Sequence, residues 1–435
     1  MPQILPVLLG GDANVYGMAR SFYETYGVRS LAVCRRALPA LAHSRIVQVA
    51  AQDPAFERDS VFTATLLGLA EQYPGRTRLL ISCADGYTQL MARCAAELRG
   101  TYRFACPPPA ALALADKQRT PQSITVYPGD IVLELPFGWP VVVKPADSPA
   151  WWNCHFPGKR KVYLARDAPE LQEILSAAAR SSYRGAMLLQ EYIPGPDTRL
   201  GVVNAYCAAD GSVPWLVQGQ PLLQERTPEG IGNYAAVLVE PARQDTALLE
   251  ALRGLLQTAG WRGFANFDLK YDRRGESVLF ELNPRQGRAA YYCDAAGAPL
   301  ARPLVEDLLF GGPVTPPALR PAVWYTAIAP TSCSCAVPPS CGAAGAGIPI
   351  YWPRGRGWQG RFGLRQGRRD TAENYERMGA ESMCGIVGFT TAAGHDPAAA
   401  KRTAQAMADL IRHRGPDGEG YYADAYAALG HRRLS

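Results

Sequence analysis

The chain has 435 residues, of which 48% are hydrophobic, and it carries a formal net charge of +6. This length predicts two to four domains, and the apolar content excludes a disordered chain. The sequence contains no run of 18 apolar residues and no basic leader segment at its N-terminus. We therefore expect neither a membrane span nor a secretory signal, and we expect a cytoplasmic protein with reduced thiols.

The positive charge is concentrated in one segment. Between Thr331 and Arg369 there are six arginines and no acidic residue, while the rest of the chain is near neutral. This pattern favours a basic linker over a nucleic-acid-binding surface, so nucleic acid is not an expected partner. Cys333, Cys335 and Cys341 lie in the same segment, but they lack the fourth ligand that a structural zinc site requires.

Residues 1–105 show an alternation of strand and helix patterns. The predicted strands are Ile4–Leu9, Val28–Val33 and Leu79–Cys83. The predicted helices are Val15–Tyr26, Ser60–Gln72 and Tyr87–Leu98. This alternation predicts a parallel sheet covered by helices, which is an α/β domain.

A proline-rich stretch, Cys106–Pro109, interrupts this pattern and indicates a domain boundary. Strand patterns dominate from residue 106 to residue 330, with helices predicted at Pro169–Ala179 and Asp245–Ala259. The region therefore predicts an α+β domain with two lobes.

The composition changes again after residue 330. Residues 331–382 are dominated by Gly, Pro, Arg, Ser and Cys and show no hydrophobic period. We interpret them as a low-complexity linker, or as out-of-frame translation that joins two neighbouring coding sequences. Sequence typical of a folded domain returns at Met383 and continues to Ser435.

Two carboxylates and an amide lie in a predicted hairpin formed by Phe264–Tyr271 and Ser277–Leu282. Asp268 and Glu281 can face the same side of adjacent strands, and Asn283 shares the face of Glu281 because the strand period is two. Carboxylate and amide oxygens are the ligands that Mg²⁺ prefers in proteins. The alternative, charged residues at a surface turn, is disfavoured because Glu281 lies within an apolar run.

Other segments suit a nucleotide. Lys144 ends an apolar strand and can reach phosphate oxygens, and Lys117 is a second lysine of this kind. Leu188–Gly195 is a strand end that can hold a purine between apolar side chains, with Asp197 available for ribose hydroxyls. Each segment taken alone equally fits an ordinary strand end or loop.

Taken in chain order, the motifs DK, PVVVKP, QEYIPGPD and D-x12-E-x-N-P-R resemble those of the ATP-grasp superfamily. The segments GGDANVYGMARSFYETYGV, KPADSPAWWNCHFPGKRKVYL, GIGNYAAV and ELNPRQGRAAYYC resemble its carboxylate–amine ligase branch, which includes D-aspartate ligase. The resemblance implies a Rossmann-like pre-ATP-grasp domain over 1–105 and a two-lobed ATP-grasp domain over 106–330.

The resemblance also implies roles for individual residues. The implied ATP contacts are Lys117 and Lys144 for the phosphates, Gln190, Glu191 and Ile193 for adenine, and Asp197 for ribose. The implied Mg²⁺ ligands are Asp268, Glu281 and Asn283. Arg285 and Arg288 would stabilise charge on the transferring phosphoryl group or on a tetrahedral intermediate. The loop after Lys144 departs from the family pattern, because it is rich in Pro and Trp instead of glycine.

The implied reaction is ligation with Mg²⁺ and ATP. A small amino-acid carboxylate would attack the γ-phosphorus, and an amine of a peptide or peptidoglycan precursor would then attack the acyl-phosphate. Two alternatives stay open, a glutamine-dependent amidotransferase and a truncated, non-catalytic ATP-binding fusion.

The C-terminal segment resembles a different family. Its motifs MCGIVGF, HRGPDG and GHRRLS resemble the opening of the class II, Ntn-type glutaminase domain of glutamine-hydrolysing asparagine synthase. The resemblance implies Cys384 as the nucleophile, with its own α-amine as the base, and Arg433 as a contact for the glutamine carboxylate. Because Cys384 lies within the chain, its amine would have to be freed by cleavage or by an internal start at Met383. We expect 383–435 to be a truncated fragment of that domain.

Overall fold

The computed structural model describes residues 3–116, 123–132, 134–225, 230–325, 385–390, 396–410, 418–423 and 427–433. The chain divides into two compact units, residues 1–325 and residues 326–435. The predicted linker 331–382 and its three cysteines lie outside the described residues. In the part of the chain that is described, no helix is long and apolar enough to cross a membrane.

A parallel four-stranded sheet opens the first unit, with the strand order β3-β2-β1-β4. Its strands are β1 (Ile4–Leu9), β2 (Ser30–Cys34), β3 (Val47–Gln52) and β4 (Thr77–Ser82). The helices that follow these strands are α1 (Ala13–Tyr26), α2 (Pro39–Ala42), α3 (Asp59–Glu71), α4 (Asp85–Arg93) and α5 (Ala95–Leu98). The predicted parallel α/β arrangement is confirmed.

Two features of this sheet differ from the prediction. Strand β3 is not evident in the sequence, because it lies at the sheet edge and Val47 alone of its residues is fully buried. The helix predicted over Tyr87–Leu98 is divided in two, since the backbone of Cys94 leaves helical geometry with φ −93° and ψ 17°. No proline or glycine in the sequence marks that break.

Two antiparallel sheets form the rest of the first unit, as the predicted two lobes require. The smaller sheet has the order β5-β8-β6-β7 and the larger has the order β13-β12-β9-β10-β11-β14. The strands of the smaller sheet are β5 (Ser123–Val126), β6 (Val141–Pro145), β7 (Tyr163–Ala165) and β8 (Met187–Glu191). The strands of the larger sheet are β9 (Leu200–Cys207), β10 (Trp215–Gln224), β11 (Tyr234–Val239), β12 (Gly263–Tyr271), β13 (Ser277–Asn283) and β14 (Ala322–Tyr325).

Helices lie between these strands in the chain. They are α6 (Pro109–Leu112), α7 (Ser148–Asn153), α8 (Ala168–Arg180), α9 (Thr246–Thr258), α10 (Tyr291–Ala295) and α11 (Ala301–Val305). Aspartates begin the two longest, because Asp167 accepts from the backbone N–H of Glu170 and Asp245 from that of Leu248. The two helices predicted in this region are therefore confirmed as α8 and α9.

One apolar core joins the parallel sheet to the larger antiparallel sheet. Leu8 and Phe22 from the first 105 residues share a buried cluster with Tyr206, Trp215 and Tyr292. The two sheets are therefore fixed relative to each other by burial of apolar surface.

The described part of the second unit contains an antiparallel sheet with the order β15-β17-β16. Its elements are β15 (Gly385–Thr390), α12 (Pro397–Leu410), β16 (Gly418–Ala423) and β17 (Ala427–Arg433). Ala400 and Ala404 of the helix form a small buried cluster, and Ala423 packs against it.

Candidate active site

Strands β12 and β13 form a hairpin that places two carboxylates opposite each other. Asp268 pairs with Glu281 in antiparallel register, and Asn266 pairs with Asn283. Directly opposed residues of an antiparallel pair point to the same face of the sheet. The register shifts between Asp268 and Leu269, as at a β-bulge. The predicted hairpin and the shared face of the two carboxylates are confirmed.

Asp268 of this hairpin is partly buried and accepts two hydrogen bonds. Its Oδ1 accepts a hydrogen bond from the Tyr234 hydroxyl at 2.9 Å, and its Oδ2 accepts one from the Asn283 amide nitrogen at 3.2 Å. Burial and the neighbouring Glu281 carboxylate raise the pKa of Asp268 to about 7. The site thus holds two carboxyl groups that repel each other when both are ionised.

This donor set fits a hard divalent cation. Asp268 and Glu281 offer carboxylate oxygens, and a cation between them would offset their mutual repulsion. The amide oxygen of Asn283 accepts a hydrogen bond from Arg285 Nη2 at 3.3 Å and keeps a second lone pair. Among the described residues there is no group of three or more His, Cys, Asp and Glu suited to a metal ion. Assignment of these three residues to Mg²⁺ stays a prediction.

Lys144 comes from the smaller sheet and reaches the acidic pair. It lies near the end of β6, and its Nζ is 3.8 Å from Glu281 Oε2 and 5.7 Å from the centre of the Phe280 ring. The structure therefore brings one of the two predicted phosphate-binding lysines next to the carboxylates. The other, Lys117, lies outside the described residues.

The predicted adenine and ribose contacts lie at the end of β8 and just beyond it. Gln190 is buried and pairs with Val142 of β6 in register, two positions before Lys144 on that strand. Asp197 accepts hydrogen bonds from the Gln224 backbone N–H and side-chain amide, at 3.2 Å and 2.9 Å. Gln190, Glu191, Ile193 and Asp197 are not among the residues that line the cleft around Asp268. Their roles toward ATP stay predictions.

Arg285 follows the hairpin and is held from three directions. Its Nε lies 2.9 Å from Asp85 Oδ1, its Nη1 donates to the Gln286 carbonyl at 2.9 Å, and its Nη2 donates to Asn283. Burial opposes ionisation of this guanidinium, but Asp85 and Asp12 outweigh it and raise the pKa of Arg285. A fixed, fully ionised guanidinium therefore lies beside the acidic hairpin.

Arg288 belongs to a line of polar side chains, which we name the rim chain: Lys161, Asn233, Glu225 and Arg288. Lys161 Nζ donates to Asn233 Oδ1 at 3.2 Å, and the Asn233 amide donates to Glu225 Oε2 at 3.4 Å. Arg288 Nη2 lies 3.5 Å from Glu225 Oε1. Lys161, Asn233 and Arg288 line the same cleft as the acidic pair.

The loop from Pro284 to Gly287 is anchored by two helices of the first 105 residues and by one strand of the larger antiparallel sheet. The backbone N–H of Gly287 donates to Asn204 Oδ1 at 2.7 Å, and Asn204 is a buried residue of β9. From the first 105 residues, Asn14 of α1 donates to the Gln286 carbonyl at 3.0 Å, and Thr88 of α4 donates to the Pro284 carbonyl at 3.0 Å. A Cβ at Gly287 would lie 2.8 Å from the Asn266 amide nitrogen, so the close approach requires glycine.

The cleft includes polar residues that the sequence analysis did not assign. They are Lys161, Asn204, Asn233, Tyr234, Asn266 and Tyr292. Asn204 and Asn266 could be detected in the sequence as isolated amides within largely apolar strands. Burial of such a group is unfavourable unless it has a hydrogen-bond partner. Asn233 and Tyr234 lie in the segment GIGNYAAV, which resembles the ligase branch, but the resemblance implied no role for them.

The residues predicted for glutamine hydrolysis are described only in part. Cys384 lies outside the described residues. Arg433 ends strand β17, whose backbone pairs with both β15 and β16. Their roles stay predictions.

Comparison with known proteins gives two separate matches. The chain is 35% identical over 337 residues to the D-aspartate ligase of Enterococcus faecium (strain Aus0004), which covers 72% of this chain and 78% of that protein. The family described as a glutamine amidotransferase domain matches residues 383–435. The sequence resemblances at both ends of the chain are thereby confirmed.

Solved structures share the fold at low sequence identity. An L-amino acid ligase from Bacillus licheniformis is 14% identical with a TM-score of 0.51, over 73% of this chain and 78% of that one. An N5-carboxyaminoimidazole synthetase from Staphylococcus aureus, complexed with ADP, is 14% identical with a TM-score of 0.51, over 74% of this chain and 82% of that one. At this identity the likeness concerns the fold alone.

Proposed function

The chain belongs to the D-aspartate ligase family of ATP-grasp carboxylate–amine ligases, and from this premise we propose that it joins D-aspartate to an amine through an acyl-phosphate. D-aspartate is the substrate in the name of the relative that is 35% identical. The amine would belong to a peptide or a peptidoglycan precursor, and Mg·ATP would drive the reaction. We propose a cytoplasmic location with it, because ATP is supplied there.

The observation that supports this proposal is the convergence of opposite charges around the Asp268–Glu281 pair. The Asp268–Glu281 pair lies in a hairpin of one sheet, Lys144 reaches Glu281 from another sheet, and Arg285 lies beside Asn283. Phosphoryl transfer needs cations around the phosphates and carboxylates to hold a metal ion, more than it needs a nucleophile of the protein. These groups come from different elements of the fold.

The chain's own residues would mainly position the reactants. Lys144 and Lys117 would hold the phosphates as point charges, while Gln190, Glu191 and Ile193 would contact adenine and Asp197 the ribose. Bound at Asp268, Glu281 and Asn283, Mg²⁺ would supply neutralisation of the charge on the phosphates. Holding both reactants in line replaces a bimolecular encounter with a step inside one complex. In well-oriented systems this lowers the activation barrier by about 7 kcal/mol or more.

The bond changes are balanced in two steps. A carboxylate oxygen of the amino acid bonds to the γ-phosphorus as the bond to ADP breaks, which gives an acyl-phosphate. The amine nitrogen then bonds to the acyl carbon, phosphate leaves, and the amine loses a proton. Arg285 would stabilise the oxygens that gain charge in both steps.

The test is ADP release by the full chain with Mg·ATP, screened against D- and L-amino acids, with and without an amine acceptor. We expect D-aspartate to stimulate ADP release, because a reactive acyl-phosphate forms only on its carboxylate. Stimulation by a different amino acid would replace the proposed substrate. Failure to bind ATP in the presence of Mg²⁺ would overturn the proposal.

The match of residues 383–435 to a glutamine amidotransferase domain supports a second candidate, hydrolysis of glutamine. This activity would need the free α-amine of Cys384 as a base, and Arg433 would bind the glutamine carboxylate. Mass spectrometry of the purified chain would detect cleavage after Met383, and glutamate release from glutamine would measure the activity. Glutamate release that survives in Cys384→Ala, or that is absent from a chain shown to be cleaved, would exclude this candidate.

A further inference from the structure

Glu225 and Arg288 form an ion pair at the edge of the cleft that Arg288 lines together with Asp268 and Glu281. The two groups are 3.5 Å apart, and their side chains are 29% and 40% exposed. A charge-assisted hydrogen bond between such groups is normally about 2.8 Å long. By contrast, Arg285 and Asp85 in the same region are 2.9 Å apart, and the side chain of Arg285 is only 17% exposed. The Glu225–Arg288 pair is therefore loose, and solvent reaches both of its charges.

The main chain at or beside each partner is nevertheless held by hydrogen bonds. The backbone N–H of Glu225 donates to the Asn233 carbonyl at 2.9 Å, and its Oε2 accepts from the Asn233 amide. Arg288 follows Gly287, whose backbone is held by the buried Asn204. The main chain beside each charge is therefore held, while the contact between the two charges is loose.

We propose that Glu225 and Arg288 bind the head group of the amino-acid substrate. Glu225 takes its α-ammonium group and Arg288 takes its α-carboxylate, so the protein ion pair is exchanged for two pairs with the ligand. The second carboxylate of a dicarboxylic amino acid is then left free for phosphorylation in the same cleft. This inference rests on the proposed function and deepens it, because it names the class of substrate and the residues that select it.

Charge balance favours the exchange. A zwitterionic head group replaces each charge of the ion pair with a like charge, so neither Glu225 nor Arg288 is left uncompensated. The rim chain assists Glu225, because Lys161 donates to Asn233 and thereby strengthens the amide hydrogen bond that Asn233 gives to Glu225. A ligand without the ammonium or without the α-carboxylate leaves one partner unmatched.

The test measures binding by calorimetry to the full chain with Mg²⁺ and a non-hydrolysable ATP analogue. The ligands are D-aspartate, succinate, which lacks the ammonium group, and 3-aminopropanoate, which lacks the α-carboxylate. We expect the wild-type chain to bind D-aspartate about tenfold or more tightly than either analogue. Glu225→Gln should remove the preference over succinate alone, and Arg288→Met should remove the preference over 3-aminopropanoate alone.

Matched controls lie outside the cleft. Arg243→Met removes an exposed guanidinium, and Glu250→Gln breaks an exposed ion pair with Arg253. Neither should change the preferences. Binding of the ATP analogue reports folding of each variant, and Arg288→Lys replaces Arg288→Met if the latter fails this check. We expect the lysine variant to keep part of the preference, since it retains the charge but not the planar fork.

Each result decides between the two proposals. Equal preferences in the variants and the wild type would overturn the head-group assignment, as would a wild-type chain that binds no D-aspartate. If wild-type ADP release responds to D-aspartate while the variants keep their preferences, the head-group assignment fails and the ligase proposal stands. If the preferences shift as expected but no ADP is released, the ligase proposal fails and the head-group assignment stands.

Discussion

Asp85 Oδ1 lies 2.9 Å from Nε of Arg285, so the first turn of α4 holds the guanidinium that follows the acidic hairpin. Asp85 begins a helix beside the parallel sheet, and Arg285 follows the last residue of a strand in the larger antiparallel sheet. Arg285 is also tied to Asn283 and to the Gln286 carbonyl, and its side chain has little freedom left. Asp85 is thus a positioning residue whose effect on the reaction would pass through Arg285.

Asp85→Asn should lower the turnover number of the ligase by about 10²-fold, because loss of the carboxylate lets Arg285 move away from the reacting oxygens. The KM for ATP should change little, since Arg285 is not assigned to ground-state ATP binding. Steady-state ADP release at saturating D-aspartate measures both constants. Asp85→Glu should restore part of the turnover. The control is Asp59→Asn, which breaks an exposed ion pair between α3 and Arg93 of α4, the helix that contains Asp85. It should leave turnover unchanged.

Glu281→Gln should reduce ATP turnover by at least about 10²-fold, because it removes one of two carboxylates from the predicted metal site without changing its volume. Glu276→Gln, an exposed change in the turn of the same hairpin, is the control. The comparison is ADP release at several Mg²⁺ concentrations. Equal activity of Glu281→Gln and the wild type would remove Glu281 from the metal site.

Gly287→Ala should weaken both folding and activity. The added Cβ would lie 2.8 Å from the buried Asn266 amide nitrogen, and the loop between Arg285 and Arg288 would have to shift. Overpacking of this kind costs about 1–3 kcal/mol in the free energy of unfolding. Gly254→Ala in α9 meets no atom within 4 Å and should instead stabilise the helix by about 0.5–1 kcal/mol. Urea denaturation of the two variants measures this contrast, and a stable, fully active Gly287→Ala would contradict it.

Asp294→Asn should change how stability depends on pH. Enclosure by the protein raises the pKa of Asp294 from about 3.8 to about 8. Between these values the folded chain binds one more proton than the unfolded chain, so this group makes stability fall as the pH rises, by up to about 1.4 kcal/mol per pH unit. Asparagine cannot ionise, and the variant should therefore gain on the wild type between about pH 5 and pH 8.

Urea denaturation at the two pH values measures this gain. Asp210 is the control. It is exposed, and its hydrogen bonds with Ser212 lower its pKa, so its contribution to stability changes with pH in the opposite direction. Its stabilising contribution is complete above the unfolded pKa and is lost as the pH falls, so Asp210→Asn should show no gain with rising pH. A pH dependence of Asp294→Asn equal to that of the wild type would contradict the raised pKa.

The acidic hairpin could be predicted because its signals are local. Strand period fixes which residues share a face, and the turn between Asp272 and Glu276 contains Gly275 with φ 88°, a conformation that glycine adopts readily. The position of Lys144 near a strand end could be predicted from the sequence. Its approach to Glu281 could not, because that contact depends on how two sheets pack. Packing between elements has no short-range signature in a single sequence.

The groups around the two arginines were hidden for the same reason. Asp85, Asn204 and Glu225 lie far from Arg285 and Arg288 in the sequence and reach them only through the shared apolar core of the first unit. An isolated polar residue in an apolar strand, such as Asn204, indicates that some partner exists but not which one. The edge strand β3 was missed because a half-exposed strand carries a weak hydrophobic pattern.

The anchoring of the loop from Pro284 to Gly287 limits how such ligases can recombine. Asn14 and Thr88 hold it from the first 105 residues, while Asn204 holds it from the larger antiparallel sheet. A hybrid enzyme that takes its first sheet from a relative would inherit that relative's residues at positions 14 and 88. Unless these match the recipient's loop, the two halves would fold and the arginines between them would be misplaced. New specificities in this lineage should therefore arise more easily by substitution within the cleft than by exchange of whole segments.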